Sequence, residues 1–365
     1  MKRLFQINNS KNIMFISRNN NLNDNLSLIT DKLSSINSIK INLPLSYFNK
    51  LISLIPFIFL YPKYRFNLTQ AHIYIQSILW KSKLLVGYSI IPEKVQNITK
   101  KFKHLKIIQI QSGFIGEEII DNKYIKSNKL NSTSLFFGMS YYQCEIAKKY
   151  FTNEAYVVGL LSSEDWILNN NISCKIEGYK YDLCLILNTR LCRNIKYAIS
   201  LIINYLHTNQ NAKVCFAMKS KTNINELRNY FKTIQDIDVL KNIHINKFNK
   251  KEYSTLRLAL NSKIIVGVRS TSLYQLGSLG MIIYPIELDQ KFFNMSGNLT
   301  KINLNPHPTN NEFGQKINQL IIKENRSKYF SKNFNALIGL DYTLQLSELP
   351  SNNIKNILLK LLGSI

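Results

Sequence analysis

The sequence holds no Cys-x-x-Cys pair and no His-x-x-x-His pair. Its five cysteines, Cys144, Cys174, Cys184, Cys192 and Cys215, are scattered and odd in number. That spacing speaks against a zinc site and against a disulfide scaffold. The thiols read instead as small core residues of a protein kept in a reducing compartment. Gly-x-x-x-x-Gly-Lys-Ser/Thr, Gly-x-Gly-x-x-Gly and Gly-x-Ser-x-Gly are all missing. A P-loop nucleotidase, a fingerprinted dinucleotide enzyme and a nucleophile-elbow hydrolase therefore have no support. A basic start, Met1-Lys2-Arg3, is followed by no apolar signal core. The longest apolar stretch, Leu51 to Tyr61, is interrupted by Pro56. It falls short of the roughly 20 residues that span a bilayer. A buried element is the expectation for it, with an interfacial anchor beside Lys63 and Arg65 as the alternative.

Acidic residues are also scarce. Lys and Arg number 47 against 22 Asp and Glu, a formal net charge of +25. Such an excess attracts nucleic acid, anionic membranes and phosphorylated substrates alike. The cations occur singly or in short clusters such as Lys100, Lys101 and Lys103, with no basic tail and no zinc-finger, RRM or basic-zipper signature. No specific nucleic-acid partner is expected.

What is present is a rhythm. Short apolar runs at 11–17, 83–88, 106–111, 135–138 and 155–158 alternate with helical stretches at 69–80 and 141–150. A polar stretch from Ser162 to Tyr181 breaks the pattern, which restarts with runs at 182–187, 213–218, 244–248, 263–268 and 281–286. Helices are expected between them, at 194–206, around Leu227 to Ile234, at 253–260 and at 273–279. A final helix carries Ile354, Ile357, Leu358 and Leu361 on one face. Asn19 to Asn25 reads as a loop. Strand–helix alternation of this kind predicts parallel sheets covered on both faces. A length of 365 residues accommodates two such domains. The expected division is a first domain over 1–165, a second over 180–340, and a terminal helix in 341–365 packing back on the first.

In parallel sheets, ligands sit beyond the carboxyl ends of the strands, where loops lead into helix N-termini. Three such places stand out. Val266-Gly267-Val268 leads through Arg269, Ser270 and Thr271 into a helix carrying Gln275. Free amides and hydroxyls at a helix start receive a phosphate, and Arg269 adds a charged contact. Ordinary N-capping by Ser270 or Thr271 is the competing reading. Phe216-Ala217-Met218 leads into Lys219-Ser220-Lys221, two cations suited to a diphosphate or a sugar carboxylate, or else a solvated loop. Gln111-Ser112-Gly113 precedes Glu117 and Glu118. Gly113 permits close backbone approach, and one carboxylate is a candidate general base; surface acids at a helix start are the alternative. Adjacent Glu164 and Asp165 point apart on any regular element and make a poor metal pair.

These segments, in this order, resemble bacterial surface-carbohydrate biosynthesis glycosyltransferases of GT-B type, a group similar to capsule Kdo transferases and CDP-glycerol transferases. The resemblance runs from about Ile107 to Ile286. Gln109-Ile110-Gln111-Ser112-Gly113 matches a strand ending in Gln-His-Gly, and Phe137-Gly138 leads toward Val157-Val158-Gly159, matching Val-Val-Gly. Ala217-Met218-Lys219-Ser220-Lys221 resembles Ala-Met-Arg-Ser-Lys, and Val266-Gly267-Val268-Arg269-Ser270-Thr271 resembles Val-Gly-x-x-Ser-Thr.

The resemblance implies two Rossmann-like domains with parallel sheets facing a central cleft. Lys219, Ser220, Lys221, Arg269, Ser270, Thr271 and Gln275 would hold a nucleotide-linked donor, with Gln111, Gly113 and Gly159 elsewhere in the cleft. Ser112, Glu117 and Glu118 would stand on the catalytic side. Ser112 replaces the family's histidine, and Gln275 replaces a glutamate, losing its charge but keeping hydrogen bonds. No metal and no cofactor are implied, since basic side chains and a helix N-terminus stabilise the leaving phosphate. The implied partners are a nucleotide-sugar such as CMP-Kdo and a glycan or lipid-linked glycan. The implied location is cytoplasmic, peripheral on the inner face of the anionic membrane. A polyol-phosphate transferase on the same scaffold and a catalytically decayed scaffold protein are the alternatives.

Overall fold

The computed structural model describes residues 12–17, 20–33, 36, 38–43, 45–64, 67–88, 105–111, 134–139, 141–150, 152–164, 178–187, 191–218, 224–234, 237–246, 254–268, 271–278, 281–286, 288, 305, 307–322 and 349–363. The chain forms two compact units, Met1–Asn169 with Leu344–Ile365, and Asn170–Thr343.

The first unit runs β1 (Asn12–Ser17), α1 (Asn20–Lys32), β2 (Ser38–Asn42), α2 (Tyr47–Tyr64), α3 (Leu68–Leu79), β3 (Ser82–Tyr88), β4 (Lys106–Ile110), β5 (Leu135–Gly138), α4 (Tyr141–Tyr150) and β6 (Ala155–Val157). The second runs β7 (Tyr181–Ile186), α5 (Arg193–Thr208), β8 (Val214–Ala217), α6 (Ile224–Lys232), α7 (Ile237–Leu240), β9 (Ile243–Ile245), α8 (Ser254–Leu260), β10 (Ser262–Gly267), α9 (Thr271–Ser278), β11 (Ile282–Pro285) and α10 (Asn310–Ile321). A last helix, α11 (Pro350–Gly363), belongs to the first unit.

The first sheet has strand order β2-β1-β3-β4-β5-β6, every pairing parallel. Side chains alternate across a strand, and here both faces are apolar. Ile13, Phe15, Leu84, Val86, Ile108, Ile110 and Phe137 meet Leu26, Ile29 and Leu33 of the α1 side and Ile354, Leu358 and Leu362 of α11. Met14, Ile16, Leu85 and Ile107 meet Ile41 and Ile73 on the other face. Continuous apolar runs such as Ile13-Met14-Phe15-Ile16 are thus explained by burial on both sides.

A buried polar cluster ties α11 down. The Glu164 carboxylate accepts from the Ser351 amide at 2.8 Å, the Ser351 hydroxyl at 2.5 Å and Lys32 Nζ at 3.2 Å, and Lys32 also reaches the Ser351 hydroxyl. A carboxylate at a helix start satisfies its free amides and its dipole. Glu164 therefore caps α11.

The structure corrects several expectations from sequence. Asn20 to Asn25 is not a loop but the first half of α1. Its asparagines hide a stripe in which Leu26, Ile29 and Leu33 are buried at spacings of three and four. Leu51 to Tyr61 is not buried; it forms the middle of α2, with most of its large apolar side chains exposed. Three further elements, β2, α7 and α10, have no counterpart in the sequence reading. Strand β2 is short, and α10 begins at a capping box whose Thr309 hydroxyl and Glu312 carboxylate serve each other's amides.

The second sheet, β11-β10-β7-β8-β9, is again parallel throughout. Leu183 to Ile186 of β7, at its centre, are fully buried. At the amino edge Asp182 joins three strands: its carboxylate accepts from the Lys213 amide at 2.9 Å and pairs with Lys263 Nζ at 2.6 Å. The ionic fastening of this sheet thus sits at the edge opposite the strands' carboxyl ends.

Candidate functional site

The candidate site grows out of the second unit's strand order. The chain enters at β7, steps outward through β8 to β9, then crosses back to β10 and β11 on the other side. The direction reverses between β7 and β10. In an open parallel sheet such a reversal leaves a crevice at the carboxyl ends, because the loops from the two strands turn to opposite faces.

Register defines the floor of that crevice. Pro285 pairs with Gly267, Gly267 with Ile186, and Ile186 with Ala217, a row of strand ends from β11 to β8. The ladder runs one step further, with Ile286 donating to the Gly267 carbonyl at 2.9 Å and Leu187 to the Ala217 carbonyl at 3.0 Å. Parallel strands lie about 4.8 Å apart, so the exits of β8 and β10 flank β7 at a separation of roughly 10 Å.

Local chemistry fixes each exit. The Thr255 hydroxyl of α8 donates to the Met218 carbonyl at 2.6 Å, which holds the end of β8 where Lys219 follows. At β10, a Cβ added to Gly267 would lie 3.2 Å from Leu273 Cδ1. The missing side chain lets α9 settle close onto its own strand, with Leu273 and Leu276 buried beneath it. Helix α9 begins at Thr271 with no acidic residue in its first turn, so its positive end is not neutralised from within. Gln275 lies one turn beyond Thr271 and is buried. Helix α5, which follows β7, starts from Cys192 with no side-chain cap.

Of the donor-side residues expected from sequence, Thr271 is placed at the start of α9 and Gln275 on its second turn. Lys219, Ser220, Lys221, Arg269 and Ser270 lie outside the described residues. Their neighbours Met218 and Val268 stand at the same edge of one sheet. Thr255 is a support the sequence reading passed over, and Gly267, read there only as part of a motif, is a second. Asn188, Thr189 and Arg190, between β7 and α5 in the sequence, lie outside the described residues.

In the first unit, Gln111 ends β4 with its amide turned inward. Its Oε1 accepts from the Met139 amide at 2.9 Å, its Nε2 donates to Gln143, and its own amide donates to the Phe137 carbonyl at 2.9 Å. Gln111 therefore bolts β4 to the β5–α4 turn. Gly159 is buried with φ 92°, a left-handed conformation that favours glycine. Ser112, Gly113, Glu117 and Glu118 lie outside the described residues.

Among the described residues no three His, Cys, Asp or Glu side chains gather as a metal set. Glu164 is occupied as the α11 cap. The sequence does contain one Asp-x-Asp triplet, Asp236-Ile237-Asp238. Asp236 is outside the described residues, and α7, which begins at Ile237, feeds the amino end of β9. Asp238, within α7, therefore precedes the amino end of β9, the end of the strand away from the crevice.

Two parallel α/β units, each strand row wrapped by helices, make this a fold of the GT-B type. Solved structures of that type match along the whole chain. A glycosyltransferase from Rickettsia africae matches with TM-score 0.54 at 11% identity, covering 98% of this chain and 99% of that one. A UDP-GlcNAc 2-epimerase from Neisseria meningitidis, bound to UDP-GlcNAc, matches with TM-score 0.56 at 13% identity, covering 96% and 99%. A wall teichoic acid polymerase matches with TM-score 0.53 at 10% identity, covering 100% and 91%. At these identities the likeness establishes the fold. No family model matches the chain, and no curated protein matches it by sequence.

Proposed function

We propose that this chain is a glycosyltransferase that moves a sugar from a nucleotide-activated donor to a surface polysaccharide or lipid-linked glycan. The donor in this proposal is CMP-Kdo or a related acidic sugar. The observation that supports the reading is the reversal between β7 and β10, which sets the exits of β8 and β10 on either side of β7 at the carboxyl edge.

In this reading, the α9 N-terminus with Ser270 and Thr271 receives the donor phosphate, and Arg269, Lys219 and Lys221 neutralise its charge. As the glycosidic bond to the phosphate breaks, the same groups hold the negative charge that develops on the leaving nucleotide, with no metal required. Glu117 or Glu118 takes the proton of the attacking acceptor hydroxyl. Ser112, in place of the family's histidine, lends a hydrogen bond there and no charge.

The wall teichoic acid polymerase that shares the fold gives a second reading its footing: transfer of a polyol phosphate from a CDP-linked donor. The epimerase likeness adds a third outcome, turnover of UDP-GlcNAc with no acceptor. A decayed scaffold protein would bind without turnover.

A thermal-shift panel of CMP, CDP, UDP and GDP separates nucleotides, because a ligand that binds only the folded state raises Tm by mass action. Transfer assays with membrane extract follow. Glycosyl transfer from a CMP-linked sugar, lost on Lys221→Ala, supports the proposal. Selective use of CDP-glycerol, acceptor-free turnover of UDP-GlcNAc, or binding without any product each overturns it in favour of the corresponding rival.

A further inference from the structure

Helix α2 is built inside out. Its packing against α3 uses a polar contact: the Ser53 hydroxyl donates to the Asn49 carbonyl at 2.5 Å and meets His72 Nδ1 of α3 at 2.7 Å, with Ser53 and His72 both buried. The apolar side chains point the other way. Leu51, Ile52, Ile55, Ile58 and Phe59 are exposed, Ile55 to 67% and Phe59 to 76%. At 100° per residue they and their exposed neighbours Tyr47, Phe48, Leu54 and Tyr61 cover about half the helix circumference. In a helical hairpin the end of α3 lies beside the start of α2, and there Ile78, Leu79 and Trp80 are exposed as well. Isolated exposed apolar residues are ordinary, whereas a contiguous face of this kind marks a docking surface.

Charge says what docks. No Asp or Glu occurs between Asp31 and Glu93, a stretch that contains α2, α3 and seven Lys or Arg, among them Lys50, Lys63, Arg65, Lys81 and Lys83. A second copy meeting this face by two-fold symmetry would bring the same cations against themselves. An anionic lipid surface attracts them instead. Tyr47, Tyr61 and Trp80 are of the type that settles at the headgroup level. No helix among the described residues is long and apolar enough to cross a membrane, and α2 contains Pro56 and Pro62. A helix with one side packed on protein and the opposite side apolar and exposed lies in the interface plane.

We infer that the α2–α3 hairpin is a membrane dock, with the exposed face of α2 inserted among the acyl chains of an anionic bilayer and the surrounding lysines on its headgroups. This places the first unit against lipid whichever donor the second unit takes, so it does not stand or fall with the transferase reading.

The test is vesicle co-sedimentation of the full chain without nucleotide. Vesicles of phosphatidylcholine alone are compared with vesicles that also contain phosphatidylglycerol, for the natural protein and for Ile55→Glu combined with Phe59→Glu. The natural protein should pellet with the anionic vesicles, and less so as salt rises. The double variant should partition at least about tenfold more weakly. Because both side chains are exposed, its circular dichroism and Tm should match the natural protein's. A natural protein that stays in the supernatant with anionic vesicles overturns the inference, as does a double variant that pellets equally well. Sedimentation velocity decides the rival occupant: a natural dimer that becomes a monomer in the variant assigns the face to a second copy.

Discussion

Glu164 shows how misleading one residue is when read alone. Beside Asp165 it has the look of half a metal pair, yet its carboxylate is spent on Ser351 and Lys32, far along the chain. Replacing it with Ala leaves the Ser351 amide and hydroxyl without their buried acceptor, a cost of about 2 kcal/mol. Urea unfolding of Glu164→Ala should show that loss while nucleotide affinity at the second unit is unchanged; an unaltered midpoint would remove Glu164 from the fastening of α11. Cys144 is similar. A Cβ on Gly138 would come within 2.6 Å of its Sγ, so the glycine exists to let the thiol pack. Burial pushes that thiol up to about 11, an inert core group. The sequence displays Gly138 and Gly267 as parts of short motifs. The helix residues they admit, Cys144 and Leu273, become visible only once α4 and α9 fold back on their strands.

At the level of elements, hydrophobic period did most of the work that sequence could do. Ile13 to Ile16, Leu183 to Leu187 and Ile264 to Val266 are legible as two-sided strands because no polar residue interrupts them. Helix α1 was not, since its asparagines overwhelm a stripe of only a few leucines and isoleucines. Helix α2 misleads in the opposite sense: its apolar run reads as core, and only burial reveals that the polar Ser53 faces inward. The α2–α3 contact carries its own pH signature. Burial lowers the His72 pKa from its ordinary 6.5, so the unfolded chain binds this proton more readily than the folded one. Its contribution is therefore intact at neutral pH and falls away as pH drops below about 6.5 toward the folded value. Tm measured from pH 7.5 to 5 should decline, and His72→Gln should flatten part of that slope. Identical slopes in the two proteins would show that His72 is not the titrating group.

For the molecule as a whole, alternation of strands and helices predicts parallel sheets, and two of them are found. Strand order is a different matter. Nothing in the composition of β7 says that it lies at the centre with β8 on one side and β10 on the other. That order decides where Lys219–Lys221 and Arg269–Thr271 begin. The strands that lead into the two segments, β8 and β10, end at one edge of the sheet on either side of β7. Hydrogen–deuterium exchange with and without the nucleotide chosen by the thermal-shift panel tests this most directly. The account predicts slowed exchange in peptides covering 219–223 and 269–275, and no change in α7 or at the amino edge near Asp182. Protection confined to the first unit, or to only one of the two segments, would contradict it.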